Sequence, residues 1–109
     1  MTAENTKYTC PDCGGAIERI KDGHLVQYRC RVGHLYSPES ALAIHADREE
    51  NTLWTAVAIL QEGADLAEEV SQFPPSERSS TLRETAAAKR ELAEQVRRTV
   101  MELARKSLE

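Results

Sequence analysis

The chain has 109 residues, of which 40% are hydrophobic, 29% charged and only 5% aromatic, and its formal net charge is −4. That length accommodates one compact domain or two small modules, and no apolar run approaches the roughly 20 residues of a membrane-spanning helix. The acid surplus argues against nucleic-acid binding through bulk charge. Scarce aromatics leave any core to Leu, Val, Ile and Ala, which favours helices packed in pairs.

Residues 1–7 are polar and aperiodic and read as a disordered lead-in. The first nine residues lack the apolar core of a secretory signal, so the expected setting is the reducing cytoplasm. Tyr8-Thr9 then enters, as a strand, the run Cys10-Pro11-Asp12-Cys13-Gly14-Gly15, which is answered by Cys30-Arg31-Val32-Gly33-His34. These two stretches hold all three cysteines, and His34 completes a C-x2-C pair, sixteen intervening residues and a C-x3-H pair. A C-x2-C turn puts two thiolates on one edge of a tetrahedron, and the second short turn supplies the other edge. Cys10, Cys13, Cys30 and His34 therefore read as the ligands of one structural zinc ion. Between the turns, Ala16–Ile20 and Leu25–Arg29 flank Asp22-Gly23, a hairpin marker. Residues 8–36 make a zinc ribbon with a short antiparallel hairpin.

Other readings of the cysteines are weaker. A disulfide would leave an odd thiol, which makes a redox-sensing C-x-x-C the main alternative. A catalytic zinc keeps one position for water, and four protein ligands leave none. His24, after the hairpin turn, reads as a solvated loop residue, and His45 as a helix-face residue.

Beyond the ribbon the period changes. Ser37-Pro38-Glu39-Ser40 is a helix start, with Ser37 as N-cap and Pro38 in the first turn. The first helix is expected over about 38–71, with a packing seam of Leu53, Val57, Leu60, Ala64 and Ala67, and Trp54 beside it. Gln72-Phe73-Pro74-Pro75-Ser76 breaks it, giving a loop over 72–78. A second helix follows over about 79–107, with Thr81 and Glu84 at capping-box spacing. Its apolar positions are Leu82, Ala86, Leu92, Ala93, Val96, Val100 and Leu103. Leu108-Glu109 reads as a cloning remnant. The fold class expected is small α+β, a zinc ribbon followed by a long antiparallel helical hairpin over 37–107. Charge agrees, since Ser37–Ser71 carries eight acids and one base while Glu77–Glu109 carries six acids and eight bases.

The motifs in Tyr8 to about Val70 resemble the C-terminal zinc-ribbon and helix extension of some bacterial CheB-type chemotaxis methylesterases. The matching pieces are Tyr8-Thr9-Cys10-Pro11-Asp12-Cys13-Gly14-Gly15, Tyr28-Arg29-Cys30-Arg31-Val32-Gly33-His34, Tyr36-Ser37-Pro38-Glu39-Ser40 and Leu53-Trp54. The resemblance carries over the metal ligands alone. The esterase domain has no counterpart here, and no G-x-S-x-G elbow is present.

The expected function is a non-catalytic, zinc-stabilised protein-interaction module of chemotaxis or related signalling, with no small-molecule substrate and no membrane. Apolar residues off the seam, Ile59, Leu66, Val70 and Met101, together with Trp54, mark a surface for a protein partner or for self-association. The alternatives are a nucleic-acid-binding ribbon using Arg19, Lys21, Arg29 and Arg31, and a thiol-based redox or zinc sensor.

Overall fold

The computed structural model describes residues 1–107, so the expectation for Leu108-Glu109 lies outside the described residues. Four strands, β1 (Thr2–Thr9), β2 (Ala16–Asp22), β3 (Leu25–Cys30) and β4 (Leu35–Tyr36), precede two helices, α1 (Pro38–Val70) and α2 (Ser79–Ser107). The expected α+β class is the observed one. The chain divides into two compact units, residues 1–49 and 50–109.

The first unit is a four-stranded antiparallel sheet in the order β1-β2-β3-β4. Residues 1–7, expected to be disordered, instead supply most of β1, whose Thr2 pairs with Lys21 and Asn5 with Glu18. Nearly all of β1 is exposed. A strand that buries neither face shows no apolar alternation, so its sequence looks like a polar tail. Main-chain bonding and β-branched threonines hold it, and the Thr6 hydroxyl donates to the Ile17 carbonyl at 2.7 Å. Between Asn5 and Thr9 the register shifts, and the strand enters the first metal turn.

Strands β2 and β3 form the expected hairpin, but its two-residue loop is Gly23-His24, since Asp22 pairs with Leu25. Gly23 takes φ +62° and His24 does not have a positive φ, which fits a type II′ turn with Gly first. Cys10, Ile17, Cys30 and Tyr36 are buried together, and Tyr28, Ala41 and Ile44 pack against them. The first turns of α1 thus close the sheet's inner face. They start as expected, for the Ser40 N–H donates to the Ser37 hydroxyl at 3.1 Å.

In the second unit the later part of α1 and α2 run antiparallel. Val57, Ala64 and Ala67 of α1 are buried, as are Ala86, Ala93 and Val100 of α2, with Ala64, Ala67 and Ala86 in one cluster. Leu92 and Leu103, expected among the packing positions of α2, are exposed, because the seam runs through Ala86, Ala93 and Val100, also expected, which repeat every seven residues. On one flank of the seam the Arg90 guanidinium donates to Asp65 and Glu68, both at 2.8 Å. Those carboxylates raise the arginine's pKa, Glu68 first, but the groups are exposed and solvent screens them, so apolar packing carries the hairpin's stability.

The hairpin's closed end is polar and satisfied. The Ser79 hydroxyl is buried and donates to the Ser71 carbonyl at 2.6 Å, while the Ser76 N–H donates back to Ser79 at 2.9 Å. Arg78 N–H donates to the Ser76 hydroxyl at 3.2 Å. Ser76 and Ser79 therefore cap α2, and Thr81 lies inside the helix rather than starting it. Ser79→Ala removes a cap contact and strands the Ser71 carbonyl, so it is expected to cost about 1–2 kcal/mol of hairpin stability. Urea unfolding followed by helical circular dichroism measures this, with Ser80→Ala as an unaffected control.

Candidate metal centre

Two tight turns carry the four donors. In the first, the Cys10 N–H donates to the Gly15 carbonyl at 2.7 Å and the Gly14 N–H to the Cys10 carbonyl at 2.8 Å. In the second, the Cys30 N–H donates to the His34 carbonyl at 3.0 Å and the Gly33 N–H to the Cys30 carbonyl at 3.1 Å. Each turn needs one left-handed residue, and Gly14 (φ +74°) and Gly33 (φ +96°) supply it. One turn follows β1 and the other joins β3 to β4. The sheet thus brings together ligands that are far apart in the chain.

The sulfurs of Cys10, Cys13 and Cys30 and a ring nitrogen of His34 all lie within 4.8 Å of one another, with Cys10 and Cys30 buried and Cys13 and His34 exposed. All four sequence-predicted ligands meet in one cluster, while His24 and His45 stand outside it. His45 lies 3.3 Å from Glu49 on its own helix. Cys13 Sγ is 3.7 Å from Cys30 Sγ, and His34 Nδ1 is 3.2 Å from Cys30 Sγ and 3.6 Å from Cys10 Sγ. A disulfide requires about 2.05 Å between sulfurs, and all three cysteines are free thiols. Tetrahedral coordination with metal–sulfur bonds of about 2.3 Å and metal–nitrogen bonds of about 2.0 Å requires edges of roughly 3.5–3.8 Å. The donor set fits a four-coordinate metal ion.

The electrostatics favour the ligating forms of two thiols. Burial opposes ionisation of Cys10, but the Tyr36 hydroxyl and the Cys13 and Asp12 amides outweigh it and bring the thiol down to about 6. Burial likewise opposes the Cys30 thiolate, and the His34 and Val32 amides, with the Cys13 and His34 side chains, lower its pKa nonetheless. The Gly15 amide favours the Cys13 thiolate, yet burial and its neighbours Cys10 and Cys30 leave that thiol raised. His34 is raised by the sulfurs of Cys30 and Cys10. A cation at the centre relieves the repulsion among these sulfurs and replaces the protons they share with the imidazole.

Tyr36 is the part of the centre that the ligand spacing does not reveal. Its hydroxyl stands 3.3 Å from Cys10 Sγ and donates to the Asp12 carboxylate. Asp12 and then Cys10 push the phenol's pKa above its usual range, so it remains a proton donor. The available signal was Asp12 inside the first turn and a tyrosine two residues beyond the last ligand. Beside the cluster, a cavity of about 550 Å³ is lined by Tyr8, Ile17, Tyr28, Tyr36, Ala41 and Leu42, with Lys7 and His45 also on its wall.

No protein-family model matches this chain, and neither a curated protein nor a solved structure does.

One metal ion per chain is expected by elemental analysis, and Cys30→Ser should abolish stoichiometric binding. Tyr36→Phe keeps the ring but removes the hydroxyl beside Cys10. Loss of such an outer contact is expected to weaken binding of added Zn²⁺ about 10- to 100-fold, as read by competition with a chromophoric chelator.

Proposed function

We propose that this chain is a non-catalytic, zinc-stabilised protein-interaction module of a cytoplasmic, chemotaxis-type signalling system. The observation that carries the reading is the closed ligand set. Three soft thiolates and one imidazole at tetrahedral spacing suit zinc above hard-donor cations, and four protein ligands leave no position for a reacting water or substrate. The metal's work in this reading is structural, and the working surfaces are apolar. Trp54, Ile59, Leu66, Val70 and Met101 are all exposed, and the tyrosine-lined cavity offers a seat for an apolar side chain of the partner. The motifs shared with the CheB-type extension support the signalling context. None of the helices among the described residues is long and apolar enough to cross a membrane.

A nucleic-acid role draws less support. Arg19, one of its four basic residues, is held over the Tyr28 ring, 6.0 Å from the centroid, and lies 3.5 Å from Glu4.

Photo-crosslinking tests the interaction role. A diazirine side chain at position 66, in cells, is expected to give discrete protein adducts, and the same group at the exposed Glu91 is expected to give none. Adducts to nucleic acid, or none from either position, would overturn the reading.

A further inference from the structure

The tyrosine-lined cavity and the open edge of the sheet meet at β1. In the order β1-β2-β3-β4 this strand pairs with β2 alone, so the N–H and carbonyl groups along its other side have no strand to bond. Residues 2–5 keep a regular register with β2 and so present the straight ladder that an added strand requires. The register shift blunts the edge beyond them, and there the Tyr8 N–H already donates to the Thr6 hydroxyl at 3.1 Å. Past the shift the same strand contributes Lys7, Tyr8 and Thr9 to the cavity wall. An edge that can accept a strand thus runs into a pocket that can accept one of its side chains.

The cavity's volume of about 550 Å³ lies inside the range of ligand pockets, roughly 300–1,000 Å³. Tyr8 and Tyr28 meet edge to face, with 6.4 Å between ring centroids and 72° between planes, and Tyr36 and Leu42 extend the apolar lining. Tyr8 is 47% exposed and Leu42 74%, apolar surface that an entering side chain would cover. Three tyrosines could also cage a cation, but the charges oppose one. Among the described residues the lining holds no aspartate or glutamate. It holds Lys7, which has no ion-pair or hydrogen-bond partner among them, and His45, which is engaged by Glu49 at 3.3 Å. Arg19, 6.0 Å over the Tyr28 ring, is matched by Glu4 at 3.5 Å, and Asp12 accepts the Tyr36 hydroxyl. The unmatched charge at the cavity is the Lys7 ammonium, and its complement is a carboxylate.

We propose that the β1 edge and this cavity together bind an extended acidic peptide of a partner protein, with one aromatic side chain in the cavity and a carboxylate on Lys7. The proposal rests on the interaction reading above and names the partner's chemistry. Side chains of an extended strand alternate between faces, so the aromatic residue and the acid must stand two positions apart to reach the same side. Main-chain bonds to residues 2–5 supply affinity for any sequence, while the cavity and Lys7 select among sequences. A lone aromatic acid would use the cavity and leave the open edge idle.

Fluorescence anisotropy of the zinc-loaded full chain with labelled synthetic peptides tests the proposal. The probe carries Asp-Val-Phe-Val-Asp between Thr-Ser-Thr ends, and its isomer carries Val-Asp-Phe-Asp-Val, which sends both carboxylates to the face opposite the ring. The probe is expected to bind at least about tenfold more tightly than the isomer, and Lys7→Glu or Leu42→Glu should each remove about that factor. Arg83→Glu, the same change of charge on α2 and outside the lining, should leave binding unchanged. Both lining variants alter exposed side chains and should keep zinc content and circular dichroism. On binding, the amide resonances of residues 2–5 should shift and their hydrogen exchange should slow. No binding up to millimolar probe, equal binding of the two peptides, or indifference to Lys7→Glu and Leu42→Glu overturns the proposal. So does 3-phenylpropanoate binding as tightly as the probe while residues 2–5 stay unshifted, which makes the cavity a site for a small aromatic acid. A failed probe alongside protein cross-links from position 66 defeats this site alone, and failure of both defeats the interaction role as well.

Discussion

Four donors converging on one point are the constraint on which the first unit depends. Its sheet buries little: Cys10, Ile17, Cys30 and Tyr36 form one small cluster, and two of those four are ligands. A core of that size does not offset the backbone entropy of some fifty residues. A metal ion held by these donors would join the end of β1 to the β3–β4 turn, two places the chain separates widely, and would supply free energy that apolar burial cannot. Tyr36 extends the constraint outward. It pairs with Tyr28 in the sheet, stands beside Cys10 and lies two residues before α1 begins.

The second unit solves a different problem with different means. Its seam is built largely of alanine, with Val57 and Val100 as the larger buried side chains. Small residues let helices approach closely but bury modest area, so the hairpin gains from its satisfied end, where Ser71, Ser76 and Ser79 exchange hydrogen bonds. The same economy leaves Ile59, Leu66 and Val70 exposed.

How far the molecule is legible from its sequence depends on whether a feature is periodic or chemically rare. The ligands were legible because cysteine is scarce and the two turn spacings are narrow, and the helix limits because Ser37-Pro38 and Pro74-Pro75 are strong local signals. The α1 seam was legible because Val57, Ala64 and Ala67 repeat at steps that match a helix. Strand β1 was not, because it buries neither face and its stability comes from main-chain pairing with β2. The α2 cap was misplaced because Thr81 and Glu84 have capping-box spacing, whereas Ser76 and Ser79 owe their role to the approach of Ser71 across the loop. Leu92 and Leu103 were counted as packing residues on hydrophobicity, although their angle on the helix sets them beside the seam. Tyr36 needed three dimensions, since nothing local links it to Asp12.

In the proposed reading, a structural metal and apolar docking surfaces make a scaffold that binds rather than reacts. In this reading the metal supplies the fold of the ribbon while the helical hairpin stands on its own seam. The most direct test is to follow backbone amide NMR resonances and helical circular dichroism together while a chelator withdraws zinc. The dispersed resonances of Ile17, Tyr28 and Tyr36 are expected to collapse in step with zinc loss, while most of the helical signal and the resonances of Ala64 and Ala93 persist. Metal-free protein with an unchanged ribbon spectrum, or loss of the whole helical signal in parallel with zinc, would contradict it.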